Sequence, residues 1–267
     1  MSTLLVLLIA LFFIALTMFS WAIEKTKWLF LAVFAIFPIF AVGFWVNVSH
    51  VPWPALVKFV TIVACALWLW IIRFTNWFSQ KAIISIAYAL LAINIGEVAL
   101  MDAYAGNWVN AVAGVFLLFA IPSTNRIKLK TDEIGVKQFS WDLPWLWIAS
   151  YTLWNWAFVA NFYPQSIITQ GAVLLAPLTI AALLGADHWA KARVYSLTLY
   201  LIACFTMAPT FALMDISPFA LRPETLNLIN GASLLLAVIA MVGRYAQLPR
   251  ATPVRTSSGS RARSKAR

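Results

Sequence analysis

The stretch Asn94-Ile95-Gly96-Glu97-Val98-Ala99-Leu100-Met101-Asp102 sets two carboxylates and an amide in, or at the edge of, an otherwise apolar segment. An ionised side chain at the centre of a bilayer costs roughly 2.5–3.5 kcal/mol on insertion scales, so something must compensate it. The surrounding run, about residues 82–103, has the length of a helix that crosses hydrocarbon. The whole chain follows suit. Of its 267 residues, 63% are apolar and 10% are charged, against about 25% charged in an ordinary soluble domain.

Outward from that stretch, nine apolar segments are expected: about 3–23, 28–47, 54–73, 82–103, 107–122, 144–161, 166–185, 194–214 and 225–246. The reading is an all-α integral membrane protein, a bundle of about nine transmembrane helices. The net charge of +10 does not point to nucleic acid, because it is confined to short loops and one tail. Alternate loops carry Lys25 and Lys27, then Arg73 and Lys81, then Arg126, Lys128, Lys130 and Lys137, then Lys191 and Arg193. With the C-terminal basic residues, this puts all but two of the 19 Lys and Arg residues on one side, the exceptions being Arg222 and Lys58. The positive-inside rule then sets the N-terminus out and the C-terminus in.

Residues 1–248 read as one polytopic domain and 249–267 as a disordered basic tail drawn to the anionic inner leaflet. No basic residue precedes the first apolar run, so that run reads as a retained helix rather than a cleaved signal. The inner loop 123–143 contains Arg126-Ile127-Lys128-Leu129-Lys130, an alternation at period two that suggests a short ribbon lying on the leaflet. Pro38, Pro177 and Pro209 fall inside helical segments and should kink them. Cys65 and Cys204 lie in apolar runs and read as packing residues.

Depth along the helices groups the polar residues. Glu97 sits about six residues, or ~9 Å, from the outer end of its helix, with Asn94 on the same face. Lys58 enters the preceding helix at similar depth, and an ion pair with Glu97 is the simplest compensation for both charges. Asn110, Asn155, Asn161, Asp215, Asn227 and Asn230 share the outer half, while Asp102 reads as an interfacial residue. Tyr151, Trp154 and Asn155 lie in Tyr151-Thr152-Leu153-Trp154-Asn155-Trp156. The expected site is thus an outward-facing pocket. Glu97 and Asp102 are its candidate catalytic carboxylates; Lys58, Asn94, Asn110, Tyr151, Trp154, Asn155, Asn161 and Asn230 are its candidate binding residues. No metal or cofactor is expected: the two histidines, His50 and His188, fall on opposite sides, and no catalytic or phosphate-loop motif occurs.

Three stretches carry a resemblance: Glu24-Lys25-Thr26-Lys27-Trp28 leading into the helix with Pro38, Ala92-Ile93-Asn94-Ile95-Gly96-Glu97, and Tyr151-Thr152-Leu153-Trp154-Asn155-Trp156. The chain resembles an uncharacterised family of bacterial polytopic membrane proteins, a domain of unknown function. The resemblance implies an architecture and a location in a bacterial cytoplasmic (inner) membrane, and it implies no mechanism.

Three functions compete. A membrane-embedded enzyme or binding protein for a lipophilic small molecule would use the aromatic surface, with Glu97 as a general acid unless Lys58 engages it. A transporter or channel would use the same polar residues, but only 10 glycines in 267 residues argue for a rigid bundle. A scaffold or assembly factor would use them only to join helices.

Overall fold

The computed structural model describes residues 3–23, 26–131, 137–214 and 222–246. Glu24, Lys25, Asp132, Glu133, Asp215 and the tail from 249 lie outside the described residues. The chain is helical almost throughout. Helices α1 (Thr3–Ile23), α2 (Lys27–Asn47), α3 (Trp53–Phe74), α4 (Gln80–Tyr104) and α5 (Trp108–Ala120) precede a two-stranded hairpin. The hairpin is β1 (Ile127–Thr131) and β2 (Lys137–Trp141). Helices α6 (Trp145–Phe162), α7 (Ile167–Leu184), α8 (Trp189–Thr206), α9 (Ala208–Met214) and α10 (Pro223–Ala246) follow. Six helical spans are long and apolar enough to cross a membrane: α1, α2, α3, α4, α10, and α7 with the 3₁₀ turn before it. Helix α5 is apolar but short, at 13 residues.

Local chemistry explains the interruptions. Helix α2 contains a π turn, Ala32–Ile36, just ahead of Pro38. Pro38 lacks an N–H and its ring crowds the carbonyl four residues back, at Phe34, so the widened turn relieves both problems. Pro209 does not kink a long helix as expected. The chain breaks at Met207, and Pro209 falls in the first turn of α9, where its missing donor would have had no partner anyway. Helix α4 starts at Ser79, whose hydroxyl accepts the Ala82 N–H at 3.3 Å.

Helix α10 packs on α5 and α6, α5 on α4, α7 on α8, and α3 on α8. Helix α1 lies against α7 with most of its surface uncovered, as befits a helix apolar on every face. The α4–α5 contact is tight because Gly114 has no side chain: a Cβ there would lie 2.7 Å from that of Ala99 and 2.9 Å from the Trp154 ring.

The hairpin adds a small sheet to a fold expected to be all α, and it does not lie flat on a surface. Ile127 pairs with Trp141, and Phe139, Ser140 and Trp141 are buried against the helices. The two apolar residues of β1 read as one face of a ribbon; Ile127 is indeed buried, but β2 supplies most of the buried residues. Lys191 and Arg193, expected in a loop, sit instead within α8 and are buried. Helix α8 begins at Trp189, one turn before the apolar run that marked it in the sequence.

Candidate functional site: two buried polar networks

Lys58 on α3 faces α4, and its Nζ donates to Glu97 Oε2 at 3.0 Å and to Asn94 Oδ1 at 2.7 Å. Depth alone suggested this pairing, and the i, i+3 spacing of Asn94 and Glu97 delivers both acceptors to one ammonium. The Asn94 amide continues the chain of bonds by donating from Nδ2 to the Tyr151 hydroxyl of α6 at 3.0 Å. One turn further along α6, Asn155 accepts from Arg193 Nη2 of α8 at 3.4 Å. Lys58 and Glu97 retain 21% and 24% side-chain exposure, whereas Arg193 is 8% exposed. Four helices therefore converge on a network with two cations and one carboxylate.

Two cavities border this network. The first, about 80 Å³, is walled by α3, α4, α6, α8 and β2, including Cys65, Trp68, Asn94, Trp141, Tyr151 and Trp189. The second, about 230 Å³, includes Lys58, Asn155, Tyr163, Gln170 and Tyr200. Gln170 donates to the Tyr200 hydroxyl at 2.8 Å. Arg193 and Leu197, one turn apart on α8, line both.

Asp102 belongs elsewhere. It is 0% exposed, not interfacial. Its carboxylate accepts from Asn110 Nδ2 at 2.7 Å and from Asn107 Nδ2 at 3.4 Å. Asn110, also 0% exposed, accepts from the Ser233 hydroxyl of α10 at 3.2 Å, and its carbonyl accepts from Trp154 Nε1 at 2.9 Å. The reason for the misplacement is the turn after α4. Residues 105–107 double back tightly, and α5 then covers the end of α4, with α10 packed on α5 in turn. Asp102, Asn110 and Trp154 thus form a second, closed network. Asn161 and Asn230 form a third contact, donor to acceptor at 3.0 Å, joining α6 to α10. Asn227 is exposed.

Of the expected site residues, Lys58, Asn94, Glu97, Tyr151 and Asn155 come together, and Asp102, Asn110, Trp154, Asn161 and Asn230 do not join them. Arg193 was not singled out, because counting it toward the inner-loop charge accounted for it. Its i, i+4 relation to Trp189 and Leu197 was the available signal. Among the described residues, no group of three His, Cys, Asp or Glu side chains is placed to hold a metal.

The architecture is that of a helical protein with six spans fit to cross a membrane and a buried, cavity-lined ionic network. The chain belongs to the family of unknown function DUF5692, whose profile matches residues 1–252. No curated protein and no solved structure matches it.

Proposed function

We propose that this chain is a membrane-embedded binding protein or enzyme for a lipophilic small molecule, received between α3, α4, α6 and α8. The observation that carries the reading is a cavity with mostly apolar walls, rich in indoles, that ends on the Lys58–Asn94–Glu97 network. Apolar pockets with a few convergent polar groups are the usual form of small-molecule sites. Lys58 already engages the Glu97 carboxylate, so Glu97 acts by positioning Lys58 and Asn94 rather than as a general acid.

The same proposal includes the setting. Nine segments cross the cytoplasmic membrane of a bacterium, N-terminus out and C-terminus in, with the basic loops and tail against anionic inner-leaflet lipids. The one-sided distribution of Lys and Arg supports it. A transport reading draws on the second cavity, which reaches Arg193 from the α7 side.

Native mass spectrometry of the protein extracted into lipid nanodiscs tests the binding reading. A lipophilic molecule co-purifies with the wild type and is depleted in Glu97→Gln, which still inserts and purifies. Empty wild-type protein that moves an ion or solute in liposomes would replace this reading with transport.

A further inference from the structure

Buried hydrogen-bond donors without acceptors are uncommon and call for an explanation. Half of the ten unpartnered buried polar side-chain atoms among the described residues belong to the walls of one cavity. Nε and Nη1 of Arg193 have no partner among the described residues, and neither do the Nε1 atoms of Trp68, Trp141 and Trp189. All four side chains line the smaller cavity. Arginine and tryptophan side chains offer donors only, so none of the four can satisfy another. No carboxylate of the described residues forms an ion pair with Arg193, although the guanidinium is more than nine-tenths buried. Its side-chain partners, the Asn155 amide oxygen at 3.4 Å and the Tyr151 hydroxyl, are neutral and leave the charge uncompensated. Glu97 does not compensate it either, because Lys58 lies 3.0 Å from that carboxylate.

From these observations we infer that the lipophile is anionic, and that Arg193 receives its oxyanion, a carboxylate or a phosphate, with the indole N–H groups of the cavity wall as further donors. This rests on the lipophile-binding reading above and specifies its ligand. The guanidinium presents a planar fork suited to two oxygens of one acid group, and charge-assisted bonds of this kind are about twice as strong as neutral ones. The remaining walls, Leu69, Ala87, Leu90 and Val194 among them, suit hydrocarbon, and about 80 Å³ holds the acid group and the carbons next to it rather than a whole dodecyl chain. A singly charged oxyanion at Arg193 would bring the three-charge network to neutrality and supply the acceptors that the protein lacks.

The test compares chain-matched probes on the full-length protein in a maltoside detergent: dodecanoate, dodecyl phosphate and 1-dodecanol. Binding is followed by native mass spectrometry and by quenching of tryptophan emission. At least one anion binds the wild type ~10-fold or more tighter than the alcohol, a ratio in keeping with one buried charge-assisted contact. Which anion does so names the acid group. Arg193→Met brings anion and alcohol to within about twofold of each other. Trp189→Phe, which keeps an aromatic ring edge-on to Trp147 and Tyr151 and removes one donor, weakens the preferred anion about threefold and leaves the alcohol unchanged. Wild-type protein that binds the alcohol as well as both anions overturns the inference and leaves the lipophile site standing. Protein that binds none of the three removes the site and the inference together.

Discussion

The chain buries two polar networks about a turn apart along α4, and they are built on opposite terms. Around Asp102, each carboxylate oxygen accepts an amide N–H; Asn110, Trp154 and Ser233 find partners within the protein, and none of the cavities around the Lys58 network touches the group. Around Glu97, Lys58 takes the one carboxylate, Arg193 keeps two unpartnered nitrogens, and cavities open on both sides. Burial therefore does not mark the site, since Asp102, the most deeply buried acid among the described residues, belongs to the closed network. What marks it is incomplete satisfaction. A closed network can only hold helices together, whereas an open one has capacity left for something else.

Perturbing each network in turn breaks or sharpens this contrast. Asn110→Ala strips Asp102 of its 2.7 Å partner and should destabilise by about 3 kcal/mol, lowering the melting temperature by roughly 6–12 °C in a chain of this size class. Gly114→Leu, at the tight α4–α5 approach beside the same network, should destabilise by about 1–3 kcal/mol through overpacking. Thermal unfolding by near-ultraviolet circular dichroism reads both. In the open network the expected effects are smaller. Glu97→Gln and Lys58→Met should show a coupling of about 1 kcal/mol in a double-mutant cycle, because the pair is partly exposed. A coupling as large as the Asn110 effect would show that this network, too, is chiefly structural.

The smallest effect lies at the hairpin. Burial works to raise the Asp187 carboxyl, but the Ser140 hydroxyl, His188 and Lys130 outweigh it and hold the group below its usual range. A depressed folded value means that its stabilising contribution is present above the unfolded value, near 4, and is lost as pH falls through the folded one. Between pH 5 and 3 the hairpin should loosen from the turn before α8, seen as faster hydrogen exchange in β2 while the helices stay protected. Exchange in β2 independent of pH over that window would detach Asp187 from the hairpin.

Much of this was legible in the sequence, and the exceptions share a cause. Apolar runs marked the helices, and depth counting matched Lys58 with Glu97 and Asn94, because helix geometry is nearly one-dimensional. Asp102 was misplaced because its burial depends on how the turn at 105–107 folds α5 back over it, which is a tertiary fact. Arg193 escaped notice because a basic residue near a helix start fits the positive-inside pattern as well as it fits a buried site. The buried strand β2 was invisible for a similar reason: Lys137-Gln138-Phe139-Ser140-Trp141 gains its apolar face only from the helices that it meets.

The account stands most directly on one paired measurement: the melting temperature, and its rise on adding the preferred dodecyl anion, in wild type, Asn110→Ala and Arg193→Met. Ligand that binds only the folded state raises that temperature, and an unpaired buried charge is costly, so exchanging it for an apolar side chain removes that cost. The prediction is a crossed pattern. Asn110→Ala melts lower and keeps its ligand-induced rise, whereas Arg193→Met melts at or above the wild-type temperature and loses the rise. Loss of stability in Arg193→Met with the rise intact would contradict the division into a structural and a ligand-binding network.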